Sequence, residues 1–116
     1  MLEKLQIYKE TYRLVDLLYK VMPQMPKMHR YVIGSRILEK GLDLFTWISL
    51  ANKTFDKAER IKYLDSFLCS FEQLRALLRI CNDNGLLKLS TVTNLQVLII
   101  SISKQLNGWR NATSRA

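Results

Sequence analysis

The chain contains little of what many enzymes and membrane proteins depend on. Its 116 residues include one histidine, two cysteines, two prolines and four glycines. So few prolines and glycines exclude a fold built from many short strands and turns. No apolar run approaches the ~20 residues of a membrane-spanning helix, and the N-terminus, M-L-E-K-L-Q, lacks the apolar core of a signal peptide. We therefore expect a cytoplasmic protein that does not contact a membrane.

The sequence also lacks a recognisable catalytic or metal-binding motif. His29 has no acidic residue within a helical turn on either side, and Cys69 and Cys81 fall among apolar residues, where we expect both to be buried and unpaired. Neither a Glu-x-x-His pair nor a glycine-rich phosphate loop is present. We predict no enzymatic activity, no catalytic residue, no metal and no cofactor.

Apolar residues and positive charge are what the sequence has instead. Apolar residues make up 48% of the chain and charged residues 24%, which is a globular composition, and the length suits one domain over residues 1–116. Lysine and arginine outnumber aspartate and glutamate by 18 to 10, giving a net charge of +8. Such a surface attracts polyanions, so nucleic acid or an acidic protein is the natural partner, and charge alone does not choose between them.

Apolar periodicity predicts an all-α fold of four helices, at about residues 2–22, 27–52, 57–84 and 91–111. Short connections between them predict an antiparallel up-down-up-down four-helix bundle. In the first helix, the seam predicted to face the core consists of Tyr8, Tyr12, Val15, Tyr19 and Met22, widened by Leu14, Leu18 and Val21. In the second, Gly34 and Gly41 fall on or near the packing face, which indicates either close approach of a neighbouring helix or local tolerance of glycine.

Helix boundaries can also be read from the sequence. Asp56 and Glu59 resemble a capping box that opens the third helix, Gly85 supplies a left-handed C-terminal stop, and Ser90 is a candidate N-cap for the fourth. The fourth helix is apolar on more than one face, so we expect it or a neighbouring helix to pack against another subunit as well. The tail, residues 111–116, is predicted to fray.

The segment Pro23–Arg36 is predicted to be a basic hinge between the first two helices. It holds both prolines and the histidine, with Lys27 and Arg30 beside them. Further along the chain, Arg36 and Lys40, and likewise Arg75 and Arg79, are spaced four apart, so that each pair can contact phosphates from one helix face.

Two other readings of these residues stay open. Arg75 and Arg79 can equally face the bundle and pair with Glu39, Asp43 or Glu72. The simplest role of Glu39 and Asp43 is pairing with Arg36 and Lys40 on the same helix. Trp47 and Trp109 are interpreted as packing residues rather than base-stacking platforms.

Three segments carry a resemblance to a known family. They are M-P-K-M-H-R-Y-V-I-G-S-R at residues 25–36, L-R-A-L-L-R-I-C-N-D-N-G-L-L at 74–87 and Q-L-N-G-W at 105–109. With them, the chain resembles the accessory variability determinant proteins of diversity-generating retroelements. It is similar also to the wider four-helix-bundle family encoded in intervening sequences of bacterial 23S ribosomal RNA genes.

The resemblance implies a four-helix bundle that assembles into a ring or barrel-like homopentamer. For the retroelement branch it further implies binding to a reverse transcriptase and to RNA, with DNA or an RNA/DNA hybrid as further ligands, in support of mutagenic cDNA synthesis. The ribosomal-insert branch would have an RNA-binding or purely protein-interaction role. Family members often have Gly-Gly-Trp and a nearby arginine where this chain has Asn107-Gly108-Trp109 and Lys104. The residues predicted to bind nucleic acid or a partner are Lys27, His29, Arg30, Arg36, Arg75, Arg79, Lys104 and Arg110.

Overall fold

The computed structural model of the chain describes residues 5–116, and every regular element among them is helical. Helix α1 is Gln6–Val21, followed by a 3₁₀ turn at Met22–Gln24. Helix α2 occupies residues 27–53 and has three parts: a first turn at Lys27–His29, a π-helical turn at Arg30–Gly34 and a main body at Ser35–Lys53. Helices α3 and α4 are Lys57–Asp83 and Leu89–Arg115. The predicted start of the first helix at residue 2 lies outside the described residues.

The helices form an elongated bundle with extents of 46 × 23 × 23 Å. Each helix packs against the next one along the chain, and α1 closes the bundle by packing against α4. The connections at residues 54–56 and 84–88 are too short for anything but a reversal of direction. The helical bundle that the sequence predicts is therefore confirmed for residues 5–116. Its hinge end contains the end of α1, the beginning of α2, the end of α3 and the beginning of α4.

Helix α1 does not bury the tyrosine row that its periodicity predicted. Tyr12 and Tyr19 are 57% and 68% exposed, so the prediction was wrong for these two residues. The row that faces the core is Ile7, Thr11, Leu14, Val15, Leu18 and Val21. Burying a tyrosine requires a partner for its hydroxyl group, whereas at the surface water supplies one. Thr11, although polar, is fully buried and completes the core-facing row.

Helix α2 lies close to α1 at Gly41. A Cβ atom at Gly41 would lie 3.2 Å from Cγ2 of Val15. At Gly34, a Cβ atom would lie 3.2 Å from Cε of Met25. Both glycines are buried. Close approach of a neighbouring helix is therefore the correct interpretation for Gly41, whereas at Gly34 the close neighbour is Met25 in the connection between α1 and α2.

The connection between α2 and α3 is held by side chains from both of its ends. The side chain of Asp56 accepts a hydrogen bond from the backbone N–H of Glu59 at 2.9 Å, which confirms the predicted N-cap. Arg60 donates to the carbonyls of Ala51 and Thr54 at 2.9 and 2.6 Å. At the other end of α3, Gly85 has φ +70°, which confirms the predicted left-handed stop.

Helix α4 is longer at both ends than the sequence predicted. It begins at Leu89, with Lys88 rather than Ser90 at the N-cap position. It continues to Arg115, so the prediction of a frayed tail was wrong: Thr113 is buried and donates to the carbonyl of Trp109 at 2.8 Å. Its inner face buries Leu95, Ile99, Ile102 and Leu106, while Val97 and Ile100 stay exposed on an outer face.

The two cysteines lie in different environments. Cys81 is buried, and desolvation raises the pKa of its thiol. Cys69 is exposed, so the prediction that both are buried was wrong for Cys69. Periodicity misplaced it because the neighbouring Leu68 is only half-buried and the core-facing row passes through Phe67, Ser70 and Phe71 instead.

Candidate nucleic-acid and partner interface

Two methionines fix the backbone of the hinge. Met22 and Met25 are buried, and both are part of the main hydrophobic core. Pro23 lies in the first turn of the 3₁₀ segment, where its missing N–H costs nothing, and Pro26 takes the N-cap position of α2. The N–H of Arg30 then donates to the carbonyl of Pro26 at 3.0 Å. The hinge is therefore a packed corner rather than a loose linker.

The three hinge residues of the predicted site differ in exposure. Lys27 is exposed, whereas His29 and Arg30 are half-buried. The guanidinium carbon of Arg30 lies 5.9 Å from the ring centroid of Tyr31, which is within the range of a cation–π contact. Among the described residues, the buried Nε atom of Arg30 has no hydrogen-bond partner. An outside ligand would therefore reach Arg30 through its terminal nitrogen atoms.

Arg36 and Lys40 line a shallow groove between α2 and α3, together with Glu39, Gln73 and Leu77. Arg36 is exposed. Within residues 5–116, neither Arg36 nor Lys40 forms an ion pair with Glu39 or Asp43, so the predicted pairing along this helix is wrong. The charge of Arg36 is thus available to an external anion.

Arg75 and Arg79 are both exposed and line a second groove, between α3 and α4. The alternative in which they face the bundle and pair with Glu39, Asp43 or Glu72 is therefore wrong. Arg79 has a long contact of 3.8 Å with Asp83, one turn further along α3, and both side chains are largely exposed. Such a contact contributes little and does not prevent Arg79 from binding elsewhere.

Lys104 and Arg110 lie away from the hinge on α4. Lys104 is exposed, with no ion pair among the described residues. Arg110 is already engaged: its Nε and a terminal nitrogen donate to the two carboxylate oxygens of Asp65 at 2.6 and 3.2 Å. This two-point pair joins α4 to α3, and the hydrogen bonds and negative charge of Asp65 raise the pKa of Arg110.

The hinge end thus brings together most of the predicted residues, and the rest lie further along α4. Lys27, His29, Arg30 and Arg36 belong to the first three turns of α2, and Arg75 and Arg79 lie in the last third of the antiparallel α3. No acidic residue occurs between Asp16 and Glu39, nor anywhere after Asp83. The acid-free beginnings of α2 and α4 therefore both lie at the hinge end.

Three apolar residues at this end were missed as candidates. Met28, Tyr31 and Val32 are each about two-thirds exposed, at 68%, 67% and 66%. The available signal was their spacing, because they lie between the core positions of α2 rather than on them. In contrast, the packing role expected of the two tryptophans is confirmed, since Trp47 and Trp109 both contact the core and Trp47 donates to Ser70 at 3.1 Å.

Neither a metal-binding cluster nor a membrane-spanning helix occurs in the described part of the chain. Residues 5–116 contain no group of three or more His, Cys, Asp or Glu side chains placed to hold a metal ion. None of the helices in these residues has the length and apolar character that crossing a membrane requires.

Comparison with known proteins agrees with the sequence resemblance. A family model described as bAvd-like matches residues 5–113. No curated protein matches the chain. Since the family match covers nearly all of the sequence, from the beginning of α1 to the last turns of α4, the chain belongs to the bAvd-like family and is of the accessory variability determinant type.

Proposed function

We propose that this protein is a non-enzymatic, basic accessory subunit that binds nucleic acid and a reverse transcriptase in a diversity-generating retroelement. In that role it would support mutagenic cDNA synthesis and would act as a ring-shaped homopentamer. The family match over residues 5–113 supports this proposal, because the family is generally one of accessory, non-enzymatic proteins.

The proposal that this protein binds nucleic acid rests on the unpaired positive charge at the hinge end. Lys27, Arg36 and Arg75 are exposed and form no ion pair within residues 5–116. Charges that are hydrated and unpaired can release counterions from a nucleic acid at little cost to the protein. In a pentamer each such group is repeated five times around one rim, and the net charge of +8 per chain becomes roughly +40.

A salt titration tests nucleic-acid binding directly. The probes are a 20-nucleotide RNA and the matching RNA/DNA hybrid, and the affinity is measured at several salt concentrations. We expect log K to fall steeply with log salt, with a slope of about 0.7 to 0.9 per phosphate neutralised. A slope near zero for both probes would contradict the proposal.

A charge-reversal variant locates the contact. Lys27→Glu with Arg36→Glu reverses two exposed positive charges at the hinge. We expect a weaker affinity for RNA and a shallower slope of log K against log salt, with the melting temperature almost unchanged. The matched control is Lys53→Glu with Lys62→Glu, which makes the same change in net charge at exposed positions far from the hinge. Equal losses from the two variants would mean that overall charge, not the hinge, determines binding.

Assembly into a ring is supported by apolar residues that the bundle leaves exposed on two different faces. Tyr12, Tyr19 and Leu42 are exposed along the seam between α1 and α2, and Val97 and Ile100 are exposed on the outer face of α4. A head-to-tail contact between two different faces closes into a ring when the rotation permits. We expect light scattering to give a mass about five times the 13.6 kDa of the chain, and a monomer mass at micromolar concentration would contradict the pentamer.

Association with a reverse transcriptase is tested by the gene neighbourhood and by co-purification. The retroelement role requires an adjacent reverse transcriptase gene and a repeat pair, and the encoded polymerase should co-purify with this protein. A neighbourhood of ribosomal RNA genes without a polymerase would instead favour the ribosomal-insert branch.

A further inference from the structure

The hinge end carries an apolar patch in addition to its charge. We define the hinge patch as Met28, Tyr31 and Val32, which lie at positions i, i+3 and i+4 of α2 and therefore on one side of the helix. Each is about two-thirds exposed. Ile80, which is half-exposed, lies at the same end of α3, the helix that packs beside α2. Single exposed apolar residues are ordinary, but such a row on one helix face indicates a contact surface.

The π-helical turn holds this patch in a fixed orientation. The N–H of Ser35 donates to the carbonyl of Arg30, five residues back, and so leaves the carbonyl of Tyr31 without its usual backbone partner. The hydroxyl of Ser35 satisfies that carbonyl at 2.8 Å. Beneath the turn, Gly34 packs against the buried Met25. A π turn costs stability compared with a regular helix, and such turns occur frequently at functional sites.

The surroundings of the hinge patch are positively charged. Lys27 and Arg36 flank it on α2, and Arg79 is exposed at the same end of α3. No acidic residue occurs between Asp16 and Glu39, so Lys27 has no negative charge near it in the sequence, and neither Lys27 nor Arg36 forms an ion pair within residues 5–116. Arg79 has only its long contact of 3.8 Å with Asp83. Arg30 lies over the ring of Tyr31. An apolar centre with a basic rim is complementary to an apolar surface with an acidic rim.

We propose that the hinge patch is the docking site for an amphipathic helix of a partner protein, one with an apolar row flanked by carboxylates. The apolar row packs on Met28, Tyr31 and Val32, and the carboxylates pair with Lys27, Arg36 and Arg79. On the partner helix, apolar side chains at three- and four-residue spacing would be the anchors that contact the hinge patch. This inference deepens the proposed function. It rests on that function only in taking the partner in the cell to be the reverse transcriptase.

The side chains of the patch favour a protein partner over nucleic acid. Proteins that bind single strands use aromatic rings on which bases stack, and only Tyr31 offers a ring here. Met28 and Val32 have no π face and gain nothing from a phosphate backbone, but they do gain from burial against other apolar side chains. The apolar patch is therefore assigned to the partner protein, whose carboxylates share the surrounding positive charges with nucleic acid.

Fluorescence anisotropy with three labelled probes tests the assignment. The first probe is an 18-residue helical peptide with leucine at i, i+3, i+4 and i+7 and glutamate on both flanks. The second has serine in place of leucine and the same charge, and the third is a 20-nucleotide oligouridine. The test variant is Met28→Ser, Tyr31→Ser and Val32→Ser in the full chain, and the control is Phe55→Ser, at a 95% exposed apolar residue in the connection between α2 and α3, at the opposite end of the bundle.

We expect the leucine peptide to bind the wild-type protein and the serine peptide to bind at least about tenfold more weakly. The triple variant should lose about tenfold or more in affinity for the leucine peptide, and the Phe55→Ser control should lose none. Affinity for oligouridine should change by less than about twofold, because no charge is altered. If the triple variant is poorly folded by circular dichroism, Val32→Glu alone should produce the loss, since it introduces a like charge at an exposed site.

Two results would overturn the inference. One is equal affinity of the wild-type protein and the patch variants for the leucine peptide. The other is loss of oligouridine affinity in the triple variant with peptide binding retained, which would assign the patch to nucleic acid. Failure of the wild-type protein to bind a reverse transcriptase or RNA contradicts the proposed function instead, and the peptide measurement is independent of it.

Discussion

Substitution of the glycine between α1 and α2 provides a sharp test of how closely these helices pack. Alanine stabilises a helix interior by about 1 kcal/mol relative to glycine, so Gly→Ala is favourable wherever the new methyl group fits. At Gly41 the methyl carbon would lie 3.2 Å from Cγ2 of Val15 and 3.8 Å from Cδ1 of Leu18. Val15 is β-branched and lies on a helix held by its own buried row, so it has little freedom to move away.

Gly108 supplies the matched control, because it lies within α4 and a Cβ atom there would meet nothing within 4 Å. We expect Gly108→Ala to raise the free energy of unfolding by about 0.5 to 1 kcal/mol. Gly41→Ala has the same gain in helix propensity but also an overpacking cost of about 1 to 3 kcal/mol, so its net effect is a loss of about 0 to 2.5 kcal/mol. The difference between the two variants measures the steric cost.

Urea unfolding followed by circular dichroism, at one fixed protein concentration, measures both values. A double-mutant cycle completes the test: in a Val15→Ala background the obstructing Cγ atoms are gone, and Gly41→Ala should then be stabilising, as Gly108→Ala is. If Gly41→Ala in the original background stabilises as much as Gly108→Ala, α1 and α2 are not held at the separation described, and the explanation of the glycine is wrong.

Two further predictions concern polar contacts between elements. Burial alone would raise the pKa of Glu10, but hydrogen bonds with Ser101, Gln6 and Gln105 and the charge of Arg13 outweigh it and lower the pKa below the ordinary value of a glutamate, 4.5. A carboxyl group whose pKa is lowered in the folded state contributes stability above pH 4.5, and this contribution is lost as the pH falls through the folded-state pKa. Glu10→Gln should therefore flatten the acid side of a plot of unfolding free energy against pH. An unchanged acid side would contradict this explanation. Arg60→Met removes the donors to the carbonyls of Ala51 and Thr54 and should lower the free energy of unfolding in urea by about 1 to 3 kcal/mol. The control, Lys62→Met, lies at an exposed position on the same helix and should change the free energy of unfolding by less than about 0.5 kcal/mol.

The sequence was sufficient for the architecture because its helix boundaries rest on local chemistry. Asp56 and Gly85 act through their own backbone neighbourhoods, and both were predicted correctly. The core-facing side of α1 was not predictable in the same way, because the helix has two candidate rows about 100° apart. One contains the tyrosines and the other contains Thr11, and only packing against α2 and α4 decides between them.

The candidate site was predictable in its residues but not in their environment. Spacing identified Arg75 and Arg79 as a pair, but whether they face the core or solvent depends on the rotation of α3 in the bundle. Nothing local to Arg110 indicates Asp65, which is 45 residues away and becomes its partner only when α3 and α4 pack together. The π turn was missed because each of its residues is also compatible with a regular helix.

The number of residues in that π turn determines which side chains the turn presents to solvent. A π turn contains one residue more than the α-helical turn that it replaces, so deleting a single residue within 30–34 would convert it to regular helix. The parts of α2 before and after the turn would then keep their relative rotation about the axis, because the turn accommodates the extra residue locally, and the row from Ile37 to Ala51 would keep its place in the core. A one-residue deletion within the turn would therefore change which side chains the turn offers to a partner without repacking the bundle. Natural length variation at this point would then change partner choice while the core stays the same.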